Sequence, residues 1–127
     1  MGDLKKKKDI VLRPTGTCFD DMSALFGKLI ADGEKNLFLC HGIMTLDNGD
    51  LYSHAWLEQG ESKVIFTALY NGETVMVDAN KKEYLQKSGL VKKTRYSLEK
   101  AAIASRLTGG LSGPWRPEYQ ALCIENL

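Results

Sequence analysis

Long apolar runs are missing from this 127-residue chain. A helix that crosses a bilayer needs about 20 apolar residues in succession, so no membrane partner is expected. The lysines near the N-terminus are not followed by an apolar segment of signal-peptide type. One-signed charge is also scarce: formal net charge is only +1, which gives no case for a nucleic-acid partner. Cysteine is sparse and odd in number, at positions 18, 40 and 123. That is no disulfide framework, and a cytoplasmic location is expected. No Cys-x-x-Cys or His-x-x-x-His spacing occurs, so no metal is expected. No glycine-rich loop opens a helix, so no phosphate-bearing cofactor is expected, and none of another kind is indicated.

Hydrophobic content of 43% and charged content of 26% suit a globular domain. The length fits one domain over 1–127, with a partly flexible basic tail at 1–13 and an irregular tail at 111–127. The basic run at residues 5–8 reads as a solvated face or a binding patch. A short extended piece, Ile10-Val11-Leu12, precedes Pro14, which disfavours helix at Arg13.

Phe19, Met22, Leu25, Phe26, Leu29 and Ile30 recur at helical spacing and predict a helix over 18–31. Thr17 is its expected N-cap, with Asp20 as a weak capping-box partner and Gly33 as the stop. The middle of the chain is β-rich. Strands are expected over 37–46 and 51–58, joined at Asp47-Asn48-Gly49-Asp50 by a type I′ turn. A second hairpin pairs 63–69 with 74–79 around Asn71-Gly72. Beyond it come a short helix over 81–87, a fifth strand over 91–96, and a helix over 98–107 capped by Ser97 and ended by Gly109-Gly110. A helix followed by a meandering antiparallel sheet is an α+β fold.

Three residue types then stand out. Cys18 falls on the first turn of the first helix, where unpaired N–H groups favour a thiolate and can later hold an oxyanion. The plain alternative is a small buried hydrophobe. His54 sits within a strand, and alternation places Tyr52, His54, Trp56 and Glu58 on one face. That face lines a site or is core around a satisfied histidine. His41 is a second candidate base, although its strand neighbour Cys40, read as core, points to the other face. Asp78 ends a strand with apolar neighbours and can orient His54; alternatively it begins a turn, or Asn80 caps the next helix. Cys123 offers no signal.

Gly16-Thr17-Cys18, His54-Ala55-Trp56-Leu57-Glu58 and Val77-Asp78-Ala79-Asn80 together resemble the transglutaminase-like core, the minimal papain-like cysteine fold. The resemblance covers about residues 14–80. In that group the pattern is Gly-x-Cys, then His-x-Trp-x-Glu, then an Asp ending a strand and usually followed by a small residue and Thr. Asn80 stands where Thr is common, and Phe19-Asp20-Asp21 replaces the frequent apolar and small residues after the cysteine. The resemblance implies a helix carrying the cysteine, packed on an antiparallel sheet of about four to five strands, with further C-terminal helices. It implies Cys18 as nucleophile, His54 as general base and acid, and Asp78 as orienter. Thr17, Tyr52, Trp56, Asn80 and Trp115 would line the site. The activity implied is hydrolysis or acyl transfer at a peptide, protein or small amide, or an ester, through a thioester. An inactive binding or adaptor module on the same fold is the alternative, with Trp56, Trp115 and Tyr119 available to a partner surface.

Overall fold

A computed structural model describes residues 10–11 and 17–123. Leu12, Pro14, Gly16 and most of the basic tail lie outside the described residues, as do 124–127. The elements are β1 (Ile10–Val11), α1 (Cys18–Ala31), β2 (Leu37–Thr45), β3 (Leu51–Gln59), β4 (Lys63–Tyr70), β5 (Glu73–Asn80), α2 (Lys81–Lys87), β6 (Lys92–Tyr96), α3 (Leu98–Leu107) and α4 (Pro117–Gln120). The fold is α+β, with an N-terminal helix, an antiparallel sheet and further helices toward the C-terminus. The short α4 falls within the tail expected to be irregular.

Helix α1 forms where the apolar spacing requires, but its start differs from expectation. Thr17 makes no side-chain cap; its hydroxyl instead donates to Asp21 Oδ2 at 2.8 Å. The far end closes conventionally. Gly33 adopts φ 90°, its N–H reaches the Ile30 carbonyl, and Glu34 N–H reaches that of Leu29. That is a Schellman motif, which only a residue tolerant of left-handed φ completes cheaply. The loop between β2 and β3 also differs. Gly49 has φ 90° while Asn48 is not in the left-handed region. Gly49 N–H bonds the Leu46 carbonyl and Leu46 N–H bonds that of Asp50. This is a type I turn followed by a left-handed glycine, not type I′. The I′ geometry occurs instead at Asn71-Gly72, whose φ values are 52° and 81°.

The sheet runs β1-β4-β3-β2-β6, with β5 on the other edge of β4. The β2–β3 ladder extends from Leu37↔Gln59 to Thr45↔Leu51. By contrast, β3 and β4 pair only from Leu57↔Ile65 to Gln59↔Lys63. Farther along, the same edge of β4 pairs with β1 at Val11↔Leu69 and Ile10↔Tyr70. Residues 66–68 of β4 thus have no described strand on that edge, and the sheet is split beside the first half of β3. Part of the free β3 edge is closed by the C-terminal segment, as Ser53 N–H donates to the Leu122 carbonyl at 2.9 Å.

Both faces are buried at the centre, which is why β3 reads as a nearly continuous buried strand. Phe19, Met22 and Phe26 of α1 pack on Leu39, Ala55, Leu57 and Ile65 of one face, with Tyr96, Ala101 and Trp115. On the other face Cys40, Met44, Tyr52, Trp56, Val64 and Phe66 gather with Tyr84 of α2. Gly42 makes that second core possible. A Cβ there would lie 2.6 Å from the Trp56 ring and 2.5 Å from the Lys92 carbonyl oxygen. Among the described residues no helix is long and apolar enough to cross a membrane.

Candidate functional site

Cys18 is the first residue of α1 and belongs to the core on the helix side of the sheet. Burial, and then the charge of a Cys18 thiolate, push the Tyr52 phenol up to about 12; burial, mainly, raises Tyr84. The Tyr52 ring lies 5.8 Å from that of His54, and His54 stacks on Trp56 at 6.3 Å. Tyr52, His54 and Trp56 therefore form one aromatic neighbourhood, while Cys18 packs in the helix-side core.

His54 is buried, and its Nδ1 has no hydrogen-bond partner. Burial lowers its pKa from 6.5 to about 4, so the imidazole is neutral at pH 7. That is the protonation state a general base requires.

Asp78 is not in that neighbourhood. It pairs in register with Ile65, and Ile65 with Leu57. Leu57 and Ile65 lie in the helix-side core, whereas His54 lies on the opposite face with Trp56. The Asp78 side chain is 63% exposed and pairs with Lys63 at 3.2 Å. The expected orienting contact to His54 is absent, because side chains alternate and Asp78 has the wrong parity. Asn80, expected at the site, caps α2 by accepting from Glu83 N–H at 3.1 Å.

His41 is the second buried histidine. It lies on the helix-side face, its ring 4.7 Å from Phe19, 4.8 Å from Trp115 and 5.1 Å from Tyr96. Neither ring nitrogen has a partner, and burial lowers its pKa to about 3. Trp115 thus covers His41 rather than His54. Cys40 is core, as expected, and burial and the Glu58 charge push its thiol up.

Glu58 is a feature that sequence reasoning placed only by its face. Its carboxylate is fully buried. Oε2 accepts from Trp56 Nε1 at 3.1 Å and from Lys93 Nζ at 2.8 Å. Oε1 faces Lys81 Nζ at 3.0 Å and Arg95 Nε at 3.3 Å as ion pairs. Burial alone would raise this pKa; the hydrogen bonds from Lys93, Trp56 and Lys81 outweigh it and hold it at about 2. The signal in the sequence was the alternation of Lys93 and Arg95, which puts both on one face of a strand. Among the described residues no cluster of His, Cys, Asp and Glu is arranged to hold a metal ion. No protein-family model, curated protein or solved structure matches the chain.

Proposed function

We propose that the chain is a cysteine-dependent hydrolase or acyltransferase built on a papain-like arrangement, with Cys18 as nucleophile and His54 as base. The observation that carries this reading is the position of Cys18. It is the first residue of α1, where the helix N–H groups favour a thiolate, and β3 carries a buried, neutral His54 whose Nδ1 has no hydrogen-bond partner. In the reaction His54 takes the Cys18 proton and the sulfur attacks an amide or ester carbonyl carbon. The resulting oxyanion is held by N–H groups at the start of α1. The C–N or C–O bond breaks as His54 returns its proton to the leaving group, leaving a thioester. Water resolves it to an acid, or an amine resolves it to a new amide. Asp78 has no part in these steps.

A second reading is a binding module that keeps the arrangement without turnover. It is favoured by the missing carboxylate at His54 and by the burial of both Cys18 and His54. Alkylation by iodoacetamide, mapped by mass spectrometry, separates the two. Cys18, Cys40 and Cys123 are 2%, 0% and 4% exposed, so access does not distinguish them and a rate difference reports activation. The enzyme reading expects Cys18 to react at least about tenfold faster, with an apparent pKa below the ordinary value of about 8.5. His54→Ala should abolish that advantage and Asp78→Asn should leave it intact. Equal, slow labelling of all three cysteines would overturn the enzyme reading.

A further inference from the structure

The Glu58 cluster holds more positive charge than its carboxylate neutralises. Lys81, Lys93 and Arg95 converge on one buried anion. Among the described residues none of the three has a second acidic partner within ion-pair distance, so the cluster carries a net charge of +2. We propose that Lys81, Lys93 and Arg95 bind a tetrahedral oxyanion, a phosphate or sulfate group, with Glu58 as the buried post that fixes them.

Three observations support this. First, donors remain. An ammonium has three N–H groups and a guanidinium five, and only part of that set is turned toward Glu58. Second, the outer donors meet solvent: the side chains of Lys81, Lys93 and Arg95 are 18%, 25% and 36% exposed, while Glu58 is enclosed. A ligand therefore adds to the carboxylate rather than displacing it. Third, the cations are already ordered. Glu58 restrains all three, and the Arg95 guanidinium carbon lies 3.9 Å from the Phe38 ring centroid, which fixes its plane. Ordering flexible side chains is a large part of the cost of binding, and here it is met before the ligand arrives. Donors converging from α2 and from two positions on β6 suit an anion with several peripheral oxygens better than a planar carboxylate. Glu58 is four residues along β3 from His54, about 13 Å at strand rise, so this site is independent of the chemistry proposed for Cys18.

The test is an NMR titration of the whole chain at constant ionic strength, following lysine Nζ and arginine Nε resonances. Sodium phosphate, sodium sulfate, sodium acetate and O-phosphoserine are added separately. Saturable shifts confined to Lys81, Lys93 and Arg95 are expected with phosphate and sulfate, and weaker binding with acetate. Tighter binding of O-phosphoserine than of phosphate assigns the site to a phosphorylated ligand, and the reverse order to the free anion. Lys81→Gln should weaken binding about tenfold, the loss of one charged hydrogen-bonding group. It leaves Lys93 and Arg95 on Glu58; Lys93→Gln is the second variant should the first not fold. Non-saturating shifts shared equally with the exposed Lys87 and Lys100, or undiminished binding in the folded variants, would overturn the proposal.

Discussion

Replacing Glu58 by glutamine keeps the shape of the side chain and an acceptor for Trp56 Nε1 while removing one buried negative charge. The carboxylate is held at about 2 against 4.5 when unpaired. At about 1.4 kcal/mol per tenfold change in proton affinity, that difference stabilises the folded chain by about 3 kcal/mol at neutral pH. Breaking a buried ion pair by removing one partner costs about 3–5 kcal/mol in general, so two routes give the same scale. Because the folded pKa lies below the unfolded one, the contribution is complete above pH 4.5. It fades as pH falls from 4.5 toward 2 and is gone below that. Urea unfolding followed by tryptophan fluorescence reads the effect directly. With a slope of about 2 kcal/mol per molar urea, Glu58→Gln should unfold about 1.5 M earlier than wild type at pH 7. The gap should persist to about pH 5 and close near pH 2. Equal midpoints at pH 7, or a gap of the same size at pH 2.5, would show that the carboxylate does not anchor the cluster.

Two further stability predictions follow from the two faces of the sheet. Gly42→Ala forces a methyl against the Trp56 ring and the Lys92 carbonyl, and overpacking of that kind costs about 1–3 kcal/mol; an unchanged denaturation midpoint would mean that Trp56 has room to move. His41→Leu removes two buried nitrogens that have no partner and should stabilise the chain by about 1 kcal/mol at pH 7. Its advantage should widen as pH falls from 6.5 toward 3, because a folded pKa of about 3 against 6.5 makes the native chain lose stability through that window. Parallel stability curves for the two proteins over that range would refute the assignment. His54 contributes the same kind of acid sensitivity down to about pH 4, so the variant retains part of it.

Elements specified by neighbouring residues were legible in the sequence. The ranges of α1, α2 and α3 follow from apolar spacing and end signals, and both hairpins follow from their Asn-Gly pairs. Less legible was anything set by distant contacts. β6 lies beside β2 rather than next to β5, with its pairing running from Leu39↔Tyr96 to Ile43↔Lys92. Nothing local to Lys92-Lys93-Thr94-Arg95-Tyr96 specifies that partner; Lys93 and Arg95 of β6 meet Lys81 of α2 at Glu58 only once the chain is folded. The Thr17 hydroxyl is turned to Asp21 and does not cap α1.

The exclusion of Asp78, by contrast, was within reach of counting. A hairpin fixes the sum of paired residue numbers. Lys63 against Gln59 makes that sum 122 for β3 and β4, and Tyr70 against Glu73 makes it 143 for β4 and β5. Continued ideally, His54 would align with residue 68 and then with residue 75, which is Val75. Asp78 is three residues beyond Val75, an odd offset, and odd offsets change faces. No bend of the sheet corrects parity; only a bulge does, and the β4–β5 ladder has none. The resemblance and the register thus make different demands on one motif. Trp56 stacks on His54 and donates its Nε1–H to Glu58, which Lys81, Lys93 and Arg95 also hold. Tyr52 and Trp56 pack about the His54 ring, where the resemblance implies a carboxylate to orient it. The acid in the His-x-Trp-x-Glu segment secures β6 and α2 to the sheet instead.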